Sequence, residues 1–514
     1  MKVTRFLIAV LALLAAMLML ASCSNDDDKK KETNSCMHEN LEGTKCLDCS
    51  LETNPDDFVF EKAKAGDYYK LIAYMGGETD IILPATYNGY PVTEIGREAF
   101  RFSGVKKVTI PEGYVTIGAR AFHTSVVLEH VSFPSTLTTI GERAFAYCNE
   151  IDEFTIPGTV TIVSEALFEK CETLRKVTIE EGVTVIETQA FAGCTKLEEI
   201  IIPTSVVSIR SGALAGVKKV SGIKFPEVEL EEGETPRYVV VNECLIDTTT
   251  KTVIAGCAES QIPADETVTA IGELAFSGSD IASITIPENI VTIGPGAFSY
   301  CLKLESATLP PFITVIPEEL FYNATALESI VIPEGVTTIE AYAFYYCTSL
   351  ESVTFPQETL EKIGESAFQE CTALEEIIMP HTVTEIGENI FHGCKNLDTV
   401  EFSVAITVIP KGTFVNCKSL RSIKLAGMIS TIERYAFKGC TALQSVVLSA
   451  KLEIIEENAF NDCSSLVTLY YGGTEKTWGK VEMGQSYIET KDENGNPTSK
   501  VVLEGYEVVY NYIG

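Results

Sequence analysis

The sequence predicts an α/β fold: a right-handed solenoid of about fifteen 23-residue coils, each a short strand plus a helical turn, with capping segments at both ends. Three observations predict it. First, a phenylalanine, in most cases preceded by alanine, recurs at Phe100, Phe122, Phe145, Phe168, Phe191, Phe276, Phe298, Phe321, Phe344, Phe368, Phe391, Phe414, Phe437 and Phe460. Leu214 fills one further slot, and apart from one break the spacing is 22 to 24 residues. Second, each period carries an L-x-x-I-x-I segment whose apolar residues alternate, as in a strand with one buried face. Third, such a unit cannot bury its apolar face alone, so neighbouring units must stack into a continuous core.

One coil reads AFAGCTKLEEIIIPTSVVSIRSG from Ala190 to Gly212, and another AFQECTALEEIIMPHTVTEIGEN from Ala367 to Asn389. The proline ends the strand because it cannot donate to a sheet ladder. The V-x-x-I pair that follows returns apolar side chains to the interior. The A-F-x-x-C segment is read as a helical turn, with alanine allowing close packing and phenylalanine filling the core. Strands about 4.8 Å apart would carry fifteen coils over roughly 70 Å.

This frame, repeated from Tyr87 to Tyr471, resembles the BspA-like leucine-rich repeats of bacterial surface proteins. The approach YNGYPVTEIGREAF, Tyr87 to Phe100, resembles that family's usual first coil. The resemblance implies a right-handed leucine-rich-repeat solenoid. It also implies a non-enzymatic adhesion or protein-binding role towards host extracellular proteins, neighbouring cells or matrix.

The chain begins MKVTRFLIAVLALLAAMLMLASC. Lys2 and Arg5 precede an apolar run from Phe6 to Leu20, which is short for a membrane span and reads as an export signal. Leu20-Ala21-Ser22-Cys23 resembles a bacterial lipobox, which implies cleavage before Cys23, lipidation of its sulfur and tethering at the cell surface. Residues 1–22 are therefore read as signal peptide and 23–57 as a lipid-anchored tether. Asp26, Asp27 and Asp28 fit either a surface-export signal or a solvated spacer. Within the tether, Cys36, His38, Cys46 and Cys49 match a Cys₃His structural zinc site. One disulfide with a spare thiol, or a flexible tether, fits the same residues. A site with four protein ligands leaves no open position for chemistry on a metal-bound water.

The repeat divides the rest. Residues 58–86 are read as an N-terminal cap, 87–226 as a first repeat block, 227–260 as a hairpin insertion, 261–470 as a second block and 471–514 as a C-terminal cap. In the insertion, two β-rich runs flank Thr248-Thr249-Thr250-Lys251. It is a binding loop or a spacer between the blocks. Trp478, the only tryptophan, is read as a cap anchor.

The remaining polar inventory argues against catalysis. Of the five histidines, His38 belongs to the candidate zinc site and His123, His130, His381 and His392 form no recurring constellation in the repeats; no G-x-S-x-G, P-loop or H-E-x-x-H motif occurs. Glu198, Glu328, Glu351 and Glu375 share one column, read as a solvated edge. Ten cysteines share another: Cys148, Cys171, Cys194, Cys301, Cys347, Cys371, Cys394, Cys417, Cys440 and Cys463. Where that column lacks cysteine it holds serine, alanine or valine, which marks a buried packing position. Cys244 and Cys257 bracket the insertion, and the sequence leaves their pairing open. The net charge of −33 disfavours nucleic acid and anionic lipid headgroups. The strand positions expected to face solvent, including Thr109, Ser132, Thr155, Thr178, Ile201, Thr285, Thr308, Val331, Thr354 and Ile378, form a low-charge ribbon. It serves either for docking a protein or as plain sheet surface. A structural envelope spacer and a glycan-binding accessory are the alternative functions. Exposed aromatics clustered on one face would favour the glycan.

Overall fold

The computed structural model describes residues 41–46, 51–64, 66–227, 235–425, 427–491, 497–501 and 506–512. Its architecture is a right-handed β-solenoid of about seventeen coils, two more than the phenylalanine count predicts. The additional strand rungs come from the caps: Asp80–Ile82 pairs with Lys107–Thr109, and Glu507–Tyr510 pairs with Thr468–Tyr471.

Each inner coil carries two strands. The longer, three or four residues in most coils, comes from L-x-x-I-x-I, as in His130–Ser132 and Glu153–Ile156. The shorter comes from the V-x-x-I pair, as in Thr116–Ile117 and Thr139–Ile140. Both pair in parallel with the equivalent residues one repeat away, His130 opposite Lys107 and Thr139 opposite Thr116. In-register stacking puts identical columns on top of one another. The apolar columns are sealed: Ile140, Leu174, Ile186 and Leu374 expose 1 % or less.

The expected helical turn is corrected. The A-F-x-x-C segments are turns, and the one α-helix among the described residues is Glu475–Trp478 in the C-terminal cap. The reason lies in the backbone. Two positions of every coil, two residues before and two after the phenylalanine slot, have positive φ; Arg143 and Tyr147 flank Phe145 at 53° and 61°. An α-helix requires negative φ throughout, so two left-handed residues four apart break it. The N–H groups consequently alternate. Ala99, Arg101 and Ser103 donate three residues back, whereas Glu98, Phe100 and Phe102 donate to carbonyls of Ala119, Ala121 and His123 on the next coil. The turn side is thus a third inter-coil ladder.

The phenylalanines form two offset stacks along the axis. Ring centroids from Phe100 to Phe191 are 4.9–5.8 Å apart, and those from Phe276 to Phe460 are 5.1–6.0 Å apart. Such spacing is the preferred offset geometry. Tyr74 covers the first ring at 5.9 Å. At the far end, the Phe460 N–H has no further coil to meet and donates instead to Oγ of fully buried Ser486. Trp478 packs on Tyr471 at 5.0 Å, as a cap anchor should.

The insertion lies inside the solenoid. Tyr238–Val241, Cys244–Asp247 and Thr252–Gly256 form an antiparallel sheet that continues in parallel into Ala270–Ile271. Alternate residues face opposite ways: Leu245, Ala255 and Cys257 complete the first block's core, while Cys244, Ile246 and Val253 complete the second's. The hairpin is a partition between two hydrophobic cores, which agrees with the spacer reading. Cys244 and Cys257 are free, buried thiols on opposite faces of it. On the turn side the blocks still touch, through an ion pair of Lys218 with Asp280.

Candidate functional site

The residues proposed as lipid and metal sites fall at the N-terminal end. Cys23, Cys36, His38 and Cys49 lie outside the described residues. Cys46 ends the short strand Lys45–Cys46, which pairs with Leu41–Glu42. Among the described residues no group of three or more His, Cys, Asp or Glu is arranged to hold a metal ion. No described helix is long and apolar enough to cross a membrane.

The cysteine column is explained by packing and hydrogen bonding. All ten are at most 1 % exposed. Each thiol donates to the carbonyl of the preceding coil's phenylalanine slot, as Cys171 Sγ does to Phe145 at 3.0 Å and Cys394 Sγ to Phe368 at 3.1 Å. Ser125, at the same position, donates to Phe100 at 2.6 Å. The column therefore asks for a small side chain with one donor. Burial pushes the Cys171 and Cys301 thiols up to about 12, so they are poor nucleophiles at neutral pH.

Three surface features remain. The first is the long-strand face. Thr155, Thr285, Thr308, Val331, Thr354 and Ile378 are exposed, whereas Thr109, paired with Ile82 of the N-terminal cap, is buried. Two hollows, of about 690 and 590 Å³, lie on this face. The larger spans four coils of the first block and is lined by Glu112, Glu129, His130, Phe133, Glu153 and Glu180 among others. The smaller runs over Thr399, Glu401, Val404 and Lys424 of the second. Along the first block this face carries ion pairs, Lys176 with Glu199 at 3.0 Å and Arg175 with Asp152 at 2.5 Å. Along the second, the column of Lys176 and Glu199 holds the exposed Ser283, Ser306, Ser329 and Ser352, while the column of Arg175 and Asp152 holds the exposed Glu305, Glu328 and Glu351.

The second feature is a cluster of tyrosines on the second block's turn side. Tyr322 and Tyr345 stack at 4.8 Å; Tyr300 lies 5.4 Å from Tyr322, and Tyr342 and Tyr346 lie 5.7 and 4.9 Å from Tyr345. Tyr300 is 51 % exposed and Tyr346 is 41 % exposed. Burial first, and neighbouring phenols second, push the Tyr322 hydroxyl up to about 12, so the patch stays uncharged and able to donate. Sequence reading assigned the repeat phenylalanines to the core and missed this cluster. The signal was the 23-residue spacing of Tyr322 and Tyr345 beside, not within, the phenylalanine column.

The third is a pocket of about 490 Å³ on the first block's turn side, lined by Arg101, Arg120, Arg143, His123, Thr124, Tyr147 and Glu169. Burial first, and the charges of Arg101 and Arg120 second, hold the His123 imidazole below its ordinary range.

The repeats match a family model described as the BspA type leucine-rich repeat region, in six copies covering residues 91–231, 250–372 and 337–467. Among solved structures, a leucine-rich cell surface protein from Faecalibacterium prausnitzii is 25% identical, with a TM-score of 0.41, over 84% of this chain and 97% of that one. The pneumococcal vaccine antigen PcpA is 16% identical, with a TM-score of 0.48, over 89% and 98%. A leucine-rich repeat protein from Bacteroides ovatus is 19% identical, with a TM-score of 0.31, over 90% and 100%. No curated protein matches the chain. With well over half its length inside the matched repeats, the chain belongs to the BspA-type leucine-rich-repeat family.

Proposed function

We propose that this chain is a non-enzymatic cell-surface lipoprotein, tethered through Cys23, whose long-strand face binds proteins of a host or a neighbouring cell. The observation that carries the reading is the second block's exposed column of serines with its threonine, valine and isoleucine neighbours. It is a strip of serines and β-branched residues without charge, bordered by the exposed Glu305, Glu328 and Glu351, on a chain of net charge −33. Solenoid faces of this kind bind by breadth of contact, and charge depletion is what distinguishes the centre of a protein interface from ordinary surface. Residues 50–514, immobilised and probed with host matrix proteins and mucin, should give saturable binding to at least one. Val331→Lys combined with Ser352→Lys should reduce it at least tenfold. Binding to none of them, or binding unchanged in the double variant, rejects the reading.

The tyrosine cluster favours a second reading, a glycan-binding accessory. Stacked phenols offer flat faces for sugar C–H groups and hydroxyls for their oxygens. A neutral oligosaccharide array separates the two: retention that Tyr345→Ala abolishes and the two lysine substitutions leave intact supports the glycan.

A further inference from the structure

The arginine pocket is at odds with the composition around it. The chain has 72 acidic and 39 basic residues, yet three guanidiniums and one carboxylate line this pocket. The three arginines come from three successive coils. Arg120 and Arg143 occupy the same column, two residues before the phenylalanine slot, where φ is 57° and 53°, and Arg101 follows Phe100. The left-handed backbone at these positions fixes where the side chains start. The inter-coil bonds Arg120 N to Glu142 O, 2.8 Å, and Arg143 N to Glu165 O, 3.0 Å, hold them in register.

Their pairing is incomplete. Arg143 Nε meets Glu169 at 3.0 Å, and Arg101 meets Glu98 at 3.2 Å. Arg120 has only a loose approach to the same Glu98, at 3.8 Å, which Arg97 also shares at 3.8 Å. The Nε of Arg120 is shut off from solvent with no hydrogen-bond partner among the described residues. With about a third of its side chain exposed and no carboxylate nearer than Glu98 at 3.8 Å, the Arg120 guanidinium is under-satisfied, and acceptors can reach it from the pocket. The lining also carries the hydroxyls of Tyr147 and of Thr124, the latter 2.7 Å from Nδ1 of His123. Lys170 adds a further cation over the Tyr147 ring, 6.0 Å from its centroid.

We propose that this pocket binds a tetrahedral oxyanion, a sulfate or phosphate group, held between Arg101, Arg120 and Arg143. Three planar forks approaching from three coils match a group with several equivalent oxygens, whereas a single carboxylate is satisfied by one fork. Glu169 is the one lining group that repels such a ligand. Its loss strengthens binding, a response that a purely structural ion pair does not give.

Calorimetric titration of the chain with inorganic sulfate, inorganic phosphate, glucose 6-sulfate and glucose 6-phosphate, at fixed ionic strength in chloride, tests this. The expected result is saturable binding of at least one of the four, weakened tenfold or more by Arg120→Gln and tightened several-fold by Glu169→Gln. Preference for an ester over its free anion identifies a sugar-borne group; equal affinity identifies the free ion. Arg434→Gln, on the second block, serves as a control and leaves the isotherm unchanged. Circular dichroism verifies that each variant is folded, and Arg101→Gln replaces Arg120→Gln if the latter is not. Absence of saturable binding by all four, or an unchanged isotherm in the folded arginine variants, overturns the proposal.

Discussion

The two repeat blocks build their separate interiors on the same pattern and differ in what they show to solvent. Phe145 and Phe368 sit in equivalent stacks, Cys171 and Cys394 make the same thiol bond, and the same two turn positions carry positive φ. The same turn columns that hold Arg101, Arg120 and Arg143 in the first block hold Tyr322, Tyr342 and Tyr345 in the second. The same strand column that holds Lys176 and Glu199 in the first holds Ser306 and Ser329 in the second. The core columns are constrained because each side chain touches its own copies above and below. Surface columns are free of that constraint, so any difference in binding between the blocks must lie there.

The largest expected effect tests whether the cores are separate. Phe368→Ala removes a ring stacked on two neighbours and should cost about 3–5 kcal/mol. Hydrogen exchange followed by mass spectrometry should place the faster exchange in 261–470 and leave 87–226 protected. Equal acceleration in both would mean that the hairpin does not partition the molecule.

A smaller loss is expected at the seam itself. A side chain on Gly256 would meet the Phe276 ring at 2.1 Å, too close without displacement. Gly256→Val should cost about 1–3 kcal/mol and split calorimetric melting into two transitions. A single transition at the wild-type temperature would count against the seam.

Alkaline pH should distinguish the blocks next. The buried thiols titrate higher in the folded chain than when unfolded, at about 12 for Cys171 and Cys301 against 9.0. Their contribution is therefore complete below pH 9 and is lost as pH rises towards 12, since only the unfolded state releases protons in that window. The second block has seven column cysteines and the first has three, so the second should exchange faster first as pH is raised. The opposite order would break this part of the comparison. The smallest effect is expected at the rim: Arg175→Gln removes an exposed pair with Asp152 and should leave the melting temperature unchanged within error.

Much of this was legible in the sequence, because a repeat states its core many times. The phenylalanine, cysteine and leucine columns and the strand before the proline were read from spacing, the hairpin from the break in it, and the cap role of Trp478 from its place beyond the last repeat. The turn was misread. Ala-Phe-x-x-Cys has helical propensity, and the preference for left-handed backbone at two flanking positions is invisible where arginine, tyrosine, leucine or serine occupies them. Those residues accept positive φ only because the coil above and below supplies partners for the alternating N–H groups. The tyrosine cluster and the arginine pocket were missed for a related reason: their members lie on different coils.

Sequence by itself determined the period, the core columns and the family, since each depends on residues that repeat at a fixed spacing. Tertiary structure decided three things: that the coil is strand and turn without helix, that the insertion is a two-faced partition, and that surface residues some twenty positions apart converge. Each of these depends on one coil meeting the next, and the register that brings them together exists only once the chain has stacked.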